Sequence, residues 1–122
     1  MKICIIDDTV SNVVVLAKFL KIKGHEAVTI SDPKEGLSLL ENEIFDVTLL
    51  DIDMPELTGI EIVDALHKSG RIKDQKIVIF TASRVDDKTV NDMTEKGVVG
   101  YFHKPMELKK LISKLEAVVN ST

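Results

Sequence analysis

An open α/β domain, with five parallel strands covered on both faces by five helices, is the fold this sequence predicts. Five short apolar runs rich in Val, Ile and Phe recur along the chain: Ile3 to Ile6, Ala27 to Ile30, Val47 to Leu50, Ile77 to Phe80 and Val98 to Phe102. Each has the length and composition of a strand. The first, third and fourth read as continuously apolar, as strands buried on both faces should be. Buried parallel strands need crossovers, and the segments between the runs read as helices.

The helices follow in order. Ser11 to Lys23 places Val15, Leu16, Phe19 and Leu20 on one face, and Gly24 follows as a C-terminal stop. Asp32 then Pro33 reads as an N-cap with proline at the first helical position, opening a helix that carries Leu37, Leu40 and Ile44. Thr58 to Lys68 offers Ile60, Ile62, Val63 and Leu66 before Gly70. Asp86 to Lys96 has little apolar anchorage beyond Val90 and Met93, so it is expected to be the most mobile helix. Leu108 to Val119 repeats Leu108, Leu111, Ile112, Leu115 and Val119 as an amphipathic stripe.

With 122 residues, 44% of them hydrophobic and 30% charged, the chain fits one globular domain over 1–122 and excludes a disordered tail or a fibrous repeat. A net charge of -4 and the lack of a Lys/Arg-rich run argue against nucleic-acid binding. Cys4 lies in an apolar run, where a buried thiol is expected. No stretch approaches the roughly 18 apolar residues of a membrane span, and the N-terminal run is too short for a signal peptide. A cytoplasmic setting is the simplest expectation.

In such sheets ligands bind outside the carboxyl ends of the strands. The first run ends in Asp7-Asp8, the third in Asp51, the fourth in Thr81 and the fifth in Lys104-Pro105. The second ends in Ser31-Asp32, already used as a helix start, so that strand is placed at an edge; the order 2-1-3-4-5 makes the other four contiguous. Carboxylates gathered at one spot raise one another's pKa unless a cation sits among them, so Asp7, Asp8 and Asp51 imply a hard divalent ion such as magnesium. Thr81 offers a hydroxyl and Lys104 a compact positive charge, the donors that a transferring phosphoryl group needs. Asp51 between them is placed to be the nucleophile.

Asp7-Asp8, Asp51-Ile-Asp-Met-Pro55 with Gly59, Thr81-Ala82 and Lys104-Pro105 together resemble the receiver domains of response regulators, the chemotaxis-receiver type of two-component signalling. The resemblance covers essentially the whole chain and implies a flavodoxin-like fold. Chemotaxis receivers are themselves a standard example of the order 2-1-3-4-5, so the order is not independent of the resemblance. The resemblance implies that Asp8 and Asp51 ligate Mg2+ directly, that Asp7 acts mainly through water, and that the backbone carbonyl of Asp53 completes the protein ligands. It also implies that Asp51 is the phosphoacceptor, that Lys104 contacts the phosphoryl oxygens before a cis bond to Pro105, and that Thr81 moves toward the phosphate. Tyr101 matches an aromatic that swings inward when Thr81 moves, reshaping the face formed by the fourth helix, fifth strand and fifth helix. Asp53 and Ser83 occupy positions that help set how fast such domains lose their phosphate. The implied partners are a histidine kinase or histidine phosphotransfer protein and a downstream effector, and catalysis is directed only at the domain itself.

Taken singly, these residues have plainer uses: Asp7 or Asp8 as a helix cap, Asp51 in a turn, Thr81 at a strand end, Lys104 as a solvated charge, Tyr101 as strand filler. Their joint placement is what carries the reading against an inactive scaffold. His25, His67 and His103 have no spacing suited to a metal site. If Val15, Leu16, Phe19 and Leu20 point inward, some of Val10, Val13 and Val14 are exposed beside the acidic site, where a partner could dock. Asp51-Ile-Asp53 also resembles the aspartate pair of haloacid-dehalogenase-type phosphatases, but Pro55, the short chain and Asp7-Asp8 fit that family poorly. A flavin module would need a Ser/Thr/Gly loop where the two aspartates stand, and no P-loop string occurs.

Overall fold

The computed structural model describes residues 1–121; Thr122 lies outside the described residues. Five strands, β1 (Lys2–Ile6), β2 (Glu26–Ile30), β3 (Val47–Leu50), β4 (Ile77–Thr81) and β5 (Gly100–His103), alternate with α1 (Val10–Ile22), α2 (Pro33–Asn42), α3 (Gly59–Lys68), α4 (Asp87–Lys96) and α5 (Leu108–Asn120). The strands form one parallel sheet in the order β2-β1-β3-β4-β5. The expected fold class and strand order are both observed.

The central strands β1, β3 and β4 are buried almost throughout, whereas the edge strands β2 and β5 are only partly covered. Alternating side chains feed two cores. One lies under α2, α3 and α4 and includes Cys4, Leu50, Ile62, Leu66, Ile79 and Met93. The other lies under α1 and α5 and includes Ile5, Leu16, Leu20, Leu49, Leu111 and Leu115. Cys4 is wholly buried as expected, and burial pushes its thiol up to about 12.

Local chemistry starts the helices. The Asp32 carboxylate accepts from the Lys34 amide at 3.0 Å, with Pro33 at the first helical position. Thr58 and Glu61 form a reciprocal capping box at α3, and the Asp86 carboxylate accepts from the Thr89 amide at 2.8 Å to start α4.

Four expectations are corrected. Val15 is 59% exposed, and Val13 takes its place inside at 6%. The buried stripe of α1 is Val13, Leu16, Ala17 and Leu20, spaced i, i+3, i+4, i+7; apolar residues nearly encircle this helix, so periodicity could not select the face. Ile44 lies beyond the end of α2 and is exposed, and Ile60 sits on the outer side of the first turn of α3. The fifth strand begins at Gly100, because Val98 and Val99 belong to the turn that follows Gly97, which has a φ of 125°. A short 3-10 turn, Arg71–Asp74, was not anticipated.

Candidate functional site

Backbone pairing fixes each strand end. The Asp7 amide donates to the Ile30 carbonyl at 3.1 Å, that of Asp51 to Ile6 at 3.0 Å, and that of Lys104 to Thr81 at 2.9 Å. The acidic and basic residues are therefore held by the ladder that builds the sheet. Beyond β3 the chain turns back sharply: the Gly59 amide donates to the Ile52 carbonyl at 3.0 Å, and a Cβ on Gly59 would stand 2.3 Å from the Asp51 carbonyl oxygen. Only glycine permits that approach.

Asp7, Asp8 and Asp51 each offer an oxygen, and these oxygens lie within 4.8 Å of one another. This is the one such group of His, Cys, Asp and Glu side chains found among the described residues. Lys104 reaches in from the β5 end, where its ammonium contacts the Asp7 carboxylate and lies 3.6 Å from that of Asp51, beneath the Phe80 ring. The bond from Lys104 to Pro105 is cis. The other Asp7 oxygen accepts from the Thr9 amide at 2.9 Å, turning the chain into α1.

Asp7 and Asp51 are 5% and 7% exposed. Burial pushes the Asp51 carboxyl above its ordinary value; the Thr81 hydroxyl and the Lys104 charge oppose this, the Asp7 charge adds to it, and the Asp53 amide, 3.3 Å from the carboxylate, opposes it. The arrangement can hold a hard cation and present one carboxylate, Asp51, between two donors.

Asp53 points its side chain to Ser83, whose hydroxyl donates to it, while the Ser83 amide donates to the Thr81 hydroxyl at 3.2 Å. Asp51, Asp53, Ser83 and Thr81 are thus linked in a chain of hydrogen bonds; the sequence singles out Asp53 and Ser83 together by position, and their direct contact is what it does not disclose. Tyr101 lies outside this chain of contacts and lines, with Thr81 and Ser83, a cavity of 160 Å³. The histidines stand apart from the acidic cluster: His25 meets the N-terminal amine at 2.9 Å, and His67 and His103 are exposed.

Comparison with known proteins gives these strand ends their context. Residues 3–116 match the family described as response regulator receiver domain. The chain is 34% identical over 122 residues to the probable transcriptional regulator ycf27 of Guillardia theta, covering 99% of this chain and 46% of that protein. It is 30% identical to the response regulator SaeR of Staphylococcus aureus, covering 91% of this chain and 47% of the relative. The chain therefore spans about half the length of these curated relatives. Among solved structures, a CheY-like receiver domain protein of Methanospirillum hungatei superposes with a TM-score of 0.85 at 25% identity, over 98% of this chain and 93% of that one. The response regulator TrrA of Thermotoga maritima, in complex with Mg(2+)-BeF, superposes at 0.78 with 26% identity, over 96% and 97%. No described helix is long and apolar enough to cross a membrane. With a family match over nearly its whole length and the acidic cluster at the matching strand ends, this chain belongs to the response-regulator receiver domain family.

Proposed function

We propose that Asp51 accepts a phosphoryl group from a phosphohistidine, on a histidine kinase or a histidine phosphotransfer protein, and that the resulting acyl phosphate switches the α4-β5-α5 face for a downstream effector. One observation carries this reading: three strand-end carboxylates converge, and the Lys104 ammonium contacts Asp7 and lies 3.6 Å from Asp51 among them. A hard cation fits the all-oxygen donor set of Asp7, Asp8 and Asp51, and the Asp53 carbonyl would complete it. When bound, Mg2+ offsets the negative charge of the carboxylates and of the phosphoryl oxygens.

The remaining work falls to side chains. An Asp51 carboxylate oxygen attacks phosphorus as the P–N bond breaks, and the imidazole leaves with the electron pair. Lys104 exchanges the Asp7 carboxylate for a phosphoryl oxygen, and Thr81 turns its hydroxyl to another. Hydrolysis of the acyl phosphate resets the switch. Catalysis is directed at the domain itself, with no separate substrate, in a cytoplasmic setting and without direct contact to nucleic acid.

The donor docks on α1. Val10, Val14 and Val15 are exposed there, and α1 carries Lys18 and Lys21 with no acidic residue, followed by Lys23 at its C-cap. Beside it an apolar groove of 320 Å³ runs between α1 and the start of α5, past Leu16, Phe80 and Met106, and reaches Asp7 and Lys104. Val14→Asp is expected to slow transfer from the cognate kinase while leaving labelling by acetyl phosphate unchanged.

The test of the phosphoacceptor is incubation with Mg2+ and acetyl phosphate, read by intact mass and peptide mapping. A hydroxylamine-labile adduct on Asp51 that requires Mg2+ and is absent from Asp51→Asn supports the reading. No adduct, together with no Mg2+ binding, overturns it in favour of an inactive scaffold.

A further inference from the structure

We propose that Phe80 is a positioning residue for phosphoryl transfer: its ring holds the Lys104 ammonium beside the acidic cluster while that ammonium changes its anionic partner. The inference rests on the receiver reading above and concerns a side chain that takes no part in the chemistry itself. The Lys104 ammonium lies 5.3 Å from the centroid of the Phe80 ring, within the range at which the negative face of an aromatic ring attracts a cation.

Three further lysines lie over phenylalanines: Lys2 over Phe45, Lys23 over Phe19 and Lys114 over Phe102. Lys23 and Lys114 are exposed, and the Lys2 side chain is 37% exposed against 16% for Lys104. A cation–π contact strengthens as the cation loses water, so the attraction counts most in the Phe80 pair.

The sheet anchors both partners by their backbones. Phe80 pairs with Phe102 across β4 and β5 and packs against the core under α1 and α5. The carbonyl of Thr81, the next residue, accepts from the Lys104 amide at 2.9 Å. The lysine stem has no such anchor, being a flexible chain of four carbons with many rotamers. The Asp7 carboxylate restrains it in this structure, but that contact is the one given up in the proposed transfer. The ring then remains. It attracts the charge without being a strong acceptor, so the three N–H donors of the ammonium stay available to oxygens. Phe80 and Lys104 also line the same 320 Å³ groove, where Asp7 is the one other charged residue among those described. An aliphatic side chain at position 80 would leave the ammonium free to swing away from Asp51.

The full chain with Mg2+ and acetyl phosphate tests the assignment, with the Asp51 adduct followed by intact mass. Phe80→Leu is expected to slow labelling about three- to tenfold, the scale of one cation–π contact, with Mg2+ affinity unchanged. Replacing Phe80 by para-fluorophenylalanine and then by a trifluorinated phenylalanine keeps the shape of the ring and withdraws charge from its face. Labelling should slow in that order, which a packing role alone would not produce. Equal labelling of the native and fluorinated chains overturns the proposal.

A second readout needs no phosphoryl group. Protons held over a ring face resonate upfield, so the Lys104 ε-methylene signal, assigned by its loss in Lys104→Arg, should move downfield in Phe80→Leu. A signal at the same position in both chains overturns the contact and the proposal with it. Absence of the adduct from the native chain overturns the receiver reading, and the ring-current shift then decides by itself whether Phe80 holds the ammonium.

Discussion

The two ends of the sheet are built on opposite principles. At the amino end, polar groups meet partners of the opposite sense. Buried Gln75, just before β4, donates to the carbonyls of Leu40 at 2.9 Å and Glu43 at 2.5 Å, and accepts from the Phe45 amide at 3.4 Å. Its neighbour Lys76 donates to the carbonyls of Val118, Val119 and Ser121 at 3.1, 2.9 and 3.0 Å, closing the last turn of α5. At the carboxyl end three carboxylates are pressed together, one lysine contacts two of them, Asp7 and Asp51, and burial raises the pKa of Asp51. One end holds the sheet together; the other keeps unfavourable electrostatics that a bound cation would relieve.

If that contrast is right, substitutions at the two ends move stability in opposite directions. The largest effect is expected for Gln75→Ala, which leaves buried backbone groups of the α2–β3 turn without partners and should cost about 3 kcal/mol. Urea unfolding should show a lower midpoint at an unchanged slope. Lys76→Met removes a charge-assisted cap from the C-terminus of α5 and should cost about 1–2 kcal/mol, with faster hydrogen exchange in that last turn and unchanged labelling of Asp51.

At the other end the sign reverses. Asp51→Asn should stabilise the metal-free protein at neutral pH, because the asparagine carries no charge to bury. A carboxyl whose pKa is higher folded than unfolded binds its proton more tightly in the fold, so its ionisation destabilises as pH rises through the folded value. The gap between Asp51→Asn and the native chain should therefore be widest at neutral pH and close on acidification below the ordinary carboxylate value, as unfolding titrations at several pH values would show. A gap that widened on acidification would contradict the burial of Asp51 as its cause.

The smallest effect belongs to neither end. Thr48, midway along β3 and beside Cys4 in the sheet, has a buried hydroxyl with no partner among the described residues. Thr48→Val should raise stability by up to about 1 kcal/mol, visible as a higher thermal midpoint.

These ends also differ in how far the sequence disclosed them. The acidic end was legible because function concentrates chemistry at strand ends: Asp7, Asp8, Asp51, Thr81 and Lys104 lie within two residues of the end of an apolar run, and parallel topology brings such ends together. The roles of the Asp53 carbonyl and of Tyr101 came from family resemblance alone. The amino end was not legible, because Gln75 and Lys76 bond to backbone carbonyls 32 to 45 residues away, and nothing in a glutamine or a lysine marks such partners. The same limit applied to α1, where apolar residues on most sides left the inward face open until packing chose Val13 over Val15. The three central strands were legible because burial on both faces leaves a largely apolar signature, with Thr48 its one interior polar residue and Lys2 and Thr81 at strand ends.

The claim at the centre of this account is that the carboxylate cluster is destabilising alone and stabilising once a divalent cation binds it. Urea unfolding of the native chain and of Asp51→Asn, each with and without Mg2+, tests it directly. The predicted result is a crossover: Asp51→Asn is the more stable protein without Mg2+, and the native chain gains about 2.7 kcal/mol at a hundredfold excess of Mg2+ over its Kd, overtaking the variant. Parallel responses of the two proteins to Mg2+ would contradict the assignment of Asp51 to the metal and phosphoryl site.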